Sequence, residues 1–219
     1  MINNKNIDKV IKILKKEVEK YKEPTVETVA EKTKDPFKIL ISTMLSLRTK
    51  DNVTAEASSR LFKLGTTPER FLELPLKTIE KAIYPVGFYR VKAKNIKLVS
   101  FDLVNKYNSK VPDDINELLK LKGVGRKTAN LVVTLGFNKY GICVDTHVHR
   151  IMNRWGYVKS KSPKETEFIL RRKLPKKYWK TINNLLVTYG QNVCKPVSPF
   201  CSSCKLHKFC GRIDVLKNR

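Results

Sequence analysis

Acidic side chains are scarce in this chain: 20 Asp and Glu stand against 45 Lys and Arg, a formal charge of +25. No fold needs such an imbalance, whereas a polyanionic partner explains it through the release of condensed counterions. Nucleic acid is the leading candidate and an acidic membrane surface the lesser one. A Lys-rich composition accounts for individual solvated lysines but strains to account for the total. Also missing is any run approaching the ~18 apolar residues of a membrane span. The N-terminus, Met1 to Tyr21, interleaves charges with its apolar residues instead of building a signal-peptide core, so the expected location is the cytoplasm, beside the nucleoid. With 9 Gly and 10 Pro in 219 residues the chain is neither fibrous nor low in complexity. Gln occurs once, at Gln191, as in heat-adapted proteins, but Asn is plentiful and the two signals oppose each other.

Alternating strand patterns are lacking too, so the fold class expected is all-α. Ile7, Val10, Ile11, Leu14, Val18 and Tyr21 recur at helical spacing. Further helices are expected at 36–47, 51–64, 75–83, 88–107, 113–121, 126–137, 145–155, 163–173 and 175–189, separated by Gly or Pro. The apolar segments 39–41 and 131–133 sit inside longer helical windows.

Between 113 and 137 the pattern is a helix, the turn Gly123-Val124-Gly125, and a second helix, with Asp113 or Asp114 as cap of the first. Two glycines one residue apart permit positive φ and aim successive N–H groups outward where the helix dipole favours an anion. Such a turn holds a phosphate without reading sequence. The alternatives are a plain interhelical turn, a P-loop or a dinucleotide fingerprint. Arg126 interrupts the Gly-Lys-Thr a P-loop requires, Lys120 replaces its first glycine, and Thr128 replaces the third glycine of the fingerprint.

Lys127 falls in the first turn of the second helix beside Arg126, where dipole and neighbouring cation disfavour the ammonium form and so favour a nucleophilic amine. A phosphate contact is the plainer role for one lysine. Asp145 follows the apolar segment 141–144 at the expected start of a helix, where a carboxylate serves as an N-cap or as a partner in chemistry.

Of five cysteines, an odd count, Cys194, Cys201, Cys204 and Cys210 crowd into one segment with the spacing C-x6-C-x2-C-x5-C, which argues for a metal centre over disulfides. Zinc sites usually pair two C-x2-C knuckles and only one is present, so an iron-sulfur cubane fits better, with zinc the alternative. Lys205 and Lys208 stand among the cysteines as candidate phosphate contacts, or as charges that balance thiolates. Cys143 reads as a buried small apolar residue, and His147 and His149 as structural or DNA-facing.

The segment from Leu121 to Asn130, then Val144 to His147, then the four cysteines, together resemble the endonuclease III family of helix-hairpin-helix DNA glycosylases over nearly the whole chain. The resemblance implies two helical domains with a DNA cleft between them: a six-helix barrel at 29–139, and an iron-sulfur domain from 1–28 and 140–219. It implies a 4Fe-4S cluster on the four cysteines, and a monomer acting on double-stranded DNA with a damaged base or abasic site. It further implies base removal, with oxidised pyrimidines such as thymine glycol the family expectation, and cleavage 3′ to the abasic site by β-elimination. Lys127 would be the nucleophile and Asp145 its carboxylate partner. Gly123, Val124, Gly125, Arg126 and His147 would contact DNA. Arg48 follows Ser46-Leu47 where well-known bacterial members have a glutamine that fills the gap left by the flipped base, and Phe88 occupies the place of an aliphatic wedge. A monofunctional mismatch glycosylase and a non-catalytic iron-sulfur DNA-binding protein are the alternatives; relatives of the first kind lack the lysine at position 127.

The charge predicts that affinity for duplex DNA falls steeply with salt, with a log–log slope of about −5 or steeper, as for about six neutralised phosphates. Fluorescence anisotropy across a salt series checks this; a slope of about −1 would mean that most of the charge is unrelated to DNA.

Overall fold

The computed structural model describes all 219 residues, and its regular elements are all helical, with twelve α-helices, one π turn, one 3-10 turn and no strand. The chain divides into two compact units, Thr25–Lys139 and the pair of segments Met1–Pro24 and Tyr140–Arg219.

The contiguous unit is built around α3 (Pro36–Ser46), whose residues Phe37 and Ile39 to Leu45 are all buried. A helix apolar on every side must be wrapped by others. α3 touches α2 (Thr25–Thr33), α4 (Asp51–Leu64), α7 (Tyr89–Tyr107), α9 (Arg126–Leu131) and the π turn Val132–Gly136 that continues α9. α6 (Leu76–Ile83) and two six-residue helices, α5 (Pro68–Glu73) and α8 (Ile115–Lys120), complete the eight α-helices of this unit. Asp35 caps α3 by accepting from Phe37 N–H and Lys38 N–H, with Pro36 in the first turn.

Two of these helices are absent from the sequence reading. α2, Thr-Val-Glu-Thr-Val-Ala-Glu-Lys-Thr, is rich in β-branched residues and weak by propensity. Its start is held from far along the chain: the Asp51 carboxylate accepts from Thr25 N–H at 3.0 and 3.1 Å and from the Thr25 hydroxyl at 2.8 Å. α5 did carry a local signal, Thr67 as cap and Pro68 in the first turn, and it buries Phe71 against Phe37 with ring centroids 5.4 Å apart.

The discontinuous unit packs α1 (Ile7–Val18) and α10 (Thr146–Arg154) against α12 (Ile182–Asn192), with α11 (Pro163–Lys173) on α10. Ile7, Val10, Ile11 and Leu14 of α1 are buried in a core with Trp155, Tyr157 and Tyr189. The helix expected at 175–189 proves to be two pieces. Lys176–Tyr178 form a 3-10 turn after Pro175, and Trp179 donates its indole N–H to Leu174 O at 2.9 Å. α12 then begins at Ile182 and continues through Gly190 to Asn192. Gly190 is tolerated because α10 lies against it: a Cβ there would stand 2.4 Å from His147 Nδ1. The helix expected at 126–137 is α-helical only to Leu131 before it widens into the π turn, a feature frequent at functional sites.

Leu40 is fully buried in α3, so Leu40→Ala should cost about 2–5 kcal/mol, read as a lowered urea midpoint at unchanged slope. A loss below about 1 kcal/mol would mean that the surroundings of α3 collapse around the deletion.

Candidate functional site

The hairpin between α8 and α9 is set by its ends. Asp114, not Asp113, caps α8, accepting from Asn116 N–H and Glu117 N–H, while Asp113 pairs with Lys139 at 2.8 Å. Val124 N–H returns to Leu121 O, and Val124 and Leu121 anchor the turn in the core. Gly123 has φ +81°, and a Cβ would meet the Asn95 side chain at 2.6 Å, so both backbone and space require glycine. Gly125 differs from expectation: its φ is −99°, extended backbone open to any residue, and nothing lies within 4 Å of where a Cβ would point. Its lack of a side chain therefore leaves the approach to the turn open. Gly125 caps α9 with no side-chain hydrogen bond, as is also the case at α1, α4, α6, α7 and α12, whereas α8, its partner in the hairpin, is capped by a side-chain oxygen.

Arg126 and Lys127 are the first two residues of α9, both half-buried. Thr128, next to Lys127, is fully buried with a hydroxyl that lacks a partner. Asp145 belongs to the other unit. It is the N-cap of α10, its Oδ1 accepting from His147 N–H and Val148 N–H at 2.9 Å each, so Oδ2 takes no part in the cap. The buried segment 141–144 leads into it, and Asn183 of α12 donates to Cys143 O at 3.2 Å. Cys143 is buried, as expected of it. His147 shares a 3.1 Å contact with Arg150, while His149 binds the Thr166 hydroxyl at 2.7 Å and links α10 to α11. Burial lowers the pKa of His149.

Arg48 and Phe88 come together. Each is exposed and each has a left-handed backbone, φ +52° and +59°, and the Arg48 guanidinium sits 5.7 Å from the Phe88 ring centroid. Gly87 brings their turns into backbone contact, for a Cβ there would fall 2.5 Å from Arg48 O.

The four cysteines line one cavity whose apolar wall includes Trp155, Tyr189 and Phe200. No three His, Cys, Asp or Glu side chains converge on a point that would seat a single ion. Burial raises the thiols of Cys201, Cys204 and Cys210, the last to about 11, with further contributions from one another. Tyr189 OH lies 2.8 Å from Cys204 Sγ, Arg154 reaches Cys194 Sγ at 3.5 Å, and Arg212 N–H donates to Cys210 Sγ at 3.4 Å. Lys205 and Lys208 are exposed on the same loop around the buried Leu206.

Against known proteins, a family profile described as HhH-GPD superfamily base excision DNA repair protein matches residues 41–176. Endonuclease III of Thermotoga maritima is 48% identical over 179 residues, 82% of this chain and 84% of that protein. The chain belongs to the endonuclease III family. A solved structure of a non-covalent endonuclease III–DNA complex matches with TM-score 0.84 at 34% identity, over 96% of each chain. A trapped endonuclease III–DNA covalent intermediate matches with TM-score 0.77 at 40% identity, over 80% of this chain and 83% of that one.

Within this endonuclease III fold, several residues near the candidate site escaped the sequence reading. Arg150 and Arg154 of α10 bind the carbonyls of Cys194, Lys195 and Pro196. Lys92, in α7, is buried and feels the charge of Lys127. In sequence these are three among 45 cations. The one available signal was that Lys92 shares its spacing with the buried face Ile96, Val99 and Leu103.

Asp145→Ala removes the α10 cap and should destabilise the chain by about 1 kcal/mol, whereas Asp145→Asn keeps a cap of equal quality. Thermal unfolding of both variants checks this; equal losses would mean that the carboxylate charge, not the cap, supplies the stability.

Proposed function

We propose that Lys127 and Asp145 carry the chemistry of this bifunctional DNA glycosylase and abasic-site lyase, whose substrate is double-stranded DNA with a damaged base or an abasic site. The observation that carries the reading is the placement of a lysine in the first turn of the uncapped helix of the hairpin, in a chain 40% identical to a protein trapped as a covalent DNA intermediate. A phosphate held by the N–H groups around Gly123–Gly125 would bring the sugar of an extruded nucleotide toward the adjacent amine. The Lys127 amine adds to C1′ as the base departs with the electrons of the glycosidic bond, and the amine loses a proton. Ring opening leaves an iminium. Loss of a C2′ proton then expels the 3′ phosphate by β-elimination. Asp145 accepts the proton and stabilises positive charge on the sugar, its Oδ2 standing outside the cap. Arg126, Gly123, Val124, Gly125, His147, Lys205 and Lys208 contact the DNA backbone, while Arg48 and Phe88 enter the stack. Oxidised pyrimidines such as thymine glycol are the proposed bases. The place of action is the nucleoid, in keeping with a formal charge of +25 suited to DNA.

The four thiols suit a 4Fe-4S cluster better than one zinc ion. Only one C-x2-C pair stands among them, where the usual four-thiolate zinc site joins two, and all four line one cavity. Cys194, Cys201, Cys204 and Cys210 would hold it, and it would serve as a cross-link of the C-terminal loop. Tyr189, Arg154 and the Arg212 amide supply hydrogen bonds to the sulfurs.

Borohydride should trap wild-type protein, but not a folded Lys127→Ala variant, on a duplex bearing one thymine glycol. Asp145→Asn, with its cap intact, should slow single-turnover excision by about 10²–10⁴. Trapping by Lys127→Ala would assign the nucleophile elsewhere; an intact strand holding an abasic site would make wild type monofunctional. Cys201→Ser should lose the visible charge-transfer absorption and iron content of protein purified without oxygen; colourless wild type that carries zinc would overturn the cluster.

A further inference from the structure

Lys92 is a cation buried without a counter-charge. It sits on the inner face of α7 at 8% exposure, and no carboxylate pairs with it. Its ammonium spends three donors on three acceptors: Leu45 O at 2.7 Å, Leu47 O, and Thr49 Oγ1 at 3.1 Å. The first two are carbonyls left over at the C-terminus of α3, where a cation is favoured by the dipole. Burial and the charge of Lys127 lower its pKa to about 8. A buried charge held only by neutral dipoles is a weak source of stability: an apolar chain of the same length would avoid its desolvation but would withdraw the donor from these carbonyls.

What the ammonium does achieve is the joining of two turns. Thr49 Oγ1 accepts from Lys92 and from Gly87 N–H at 3.2 Å, and donates to Leu47 O at 3.2 Å, so its hydrogen-bonding capacity is filled. The turn 46–50 is thereby fastened to the turn 84–88. From the far side Arg60 of α4 donates to Ala82 O at 2.8 Å and to Tyr84 O. At the tips of the joined turns stand Arg48 and Phe88, both left-handed and both exposed. For a bulky residue such as Phe that backbone is a rare and strained state, which persists only where its surroundings over-determine it.

We infer that Lys92 is a positioning residue, which locks the Arg48 and Phe88 turns into a single preformed wedge for opening the DNA stack. The inference rests on the proposal that Arg48 and Phe88 enter the stack. Without the clamp, each finger would relax independently, and duplex opening would have to order both before the base could leave. Chemistry on a site that needs no opening would be untouched.

The test compares wild type with Lys92→Met, which keeps the length of the side chain, and with Thr49→Val, which removes the shared acceptor but leaves the lysine. Three quantities are read: the fluorescence rise of 2-aminopurine opposite thymine glycol on binding, single-turnover excision from that duplex, and β-elimination at an abasic site in single-stranded DNA. Both variants should lose the fluorescence rise and slow duplex excision roughly 10- to 100-fold, as for a misplaced reacting group, while single-strand cleavage by Thr49→Val, which leaves both lysine charges in place, keeps its wild-type rate. If Lys92→Met does not fold, Thr49→Val alone decides. Unchanged opening and excision would overturn the proposal. So would a parallel fall in single-strand cleavage by Thr49→Val, which would place the clamp in the chemistry itself. Should Arg48→Ala and Phe88→Ala also leave opening intact while wild type stays active, the wedge assignment fails and this inference with it, whereas wild type inactive in every assay would instead sink the enzyme reading.

Discussion

The last part of the chain, after Asn192, contains no helix or strand, and its backbone carbonyls must find donors elsewhere. Two arginines of α10 provide them. Arg154 reaches Lys195 O at 2.7 Å and Pro196 O at 2.6 Å, and Arg150 reaches Cys194 O at 2.8 Å and Gly190 O at 3.3 Å. The loop of four cysteines is thus registered on α10 before any metal is considered, and α10 in turn is capped by Asp145. One helix therefore carries the proposed catalytic carboxylate at its start and the fastening of the cysteine loop on its later turns. Displacement of α10 would disturb both.

The positive charge of the chain serves two separate ends. Most cations are exposed, and their value lies in the field they create for a polyanion. A smaller set is wholly or partly withdrawn from solvent and spent on carbonyl groups at the ends of helices: Lys92 on Leu45 O of α3, and Lys97 on Leu72 O and Leu74 O at the end of α5. These behave as caps, satisfying carbonyls that a helix leaves over. Composition counts both sets alike, although only the first set contributes to steering.

Where local chemistry dominates, the sequence was legible. The all-helical class follows from apolar spacing, the start of α10 from Asp145, and the start of α8 from the pair Asp113 and Asp114, of which Asp114 proves to be the cap. α2 was not legible because its cap comes from Asp51, and its β-branched residues argue against a helix until neighbours bury it. Gly125 was misread for a related reason. A glycine suggests positive φ, but here the backbone is extended and the missing Cβ matters only as open space.

The order and spacing of the hairpin, Asp145 and the cysteines were enough to assign the endonuclease III family, because phosphate-binding turns and thiolate loops are short-range patterns carried by few residues. Tertiary structure decided which cations are buried, that Arg48 and Phe88 stand together, and that four thiols face one cavity. Each of these depends on contacts between segments distant in sequence, such as Lys92 with Leu45 and Arg154 with Pro196. Burial and proximity are properties of packing, and a one-dimensional pattern does not hold them.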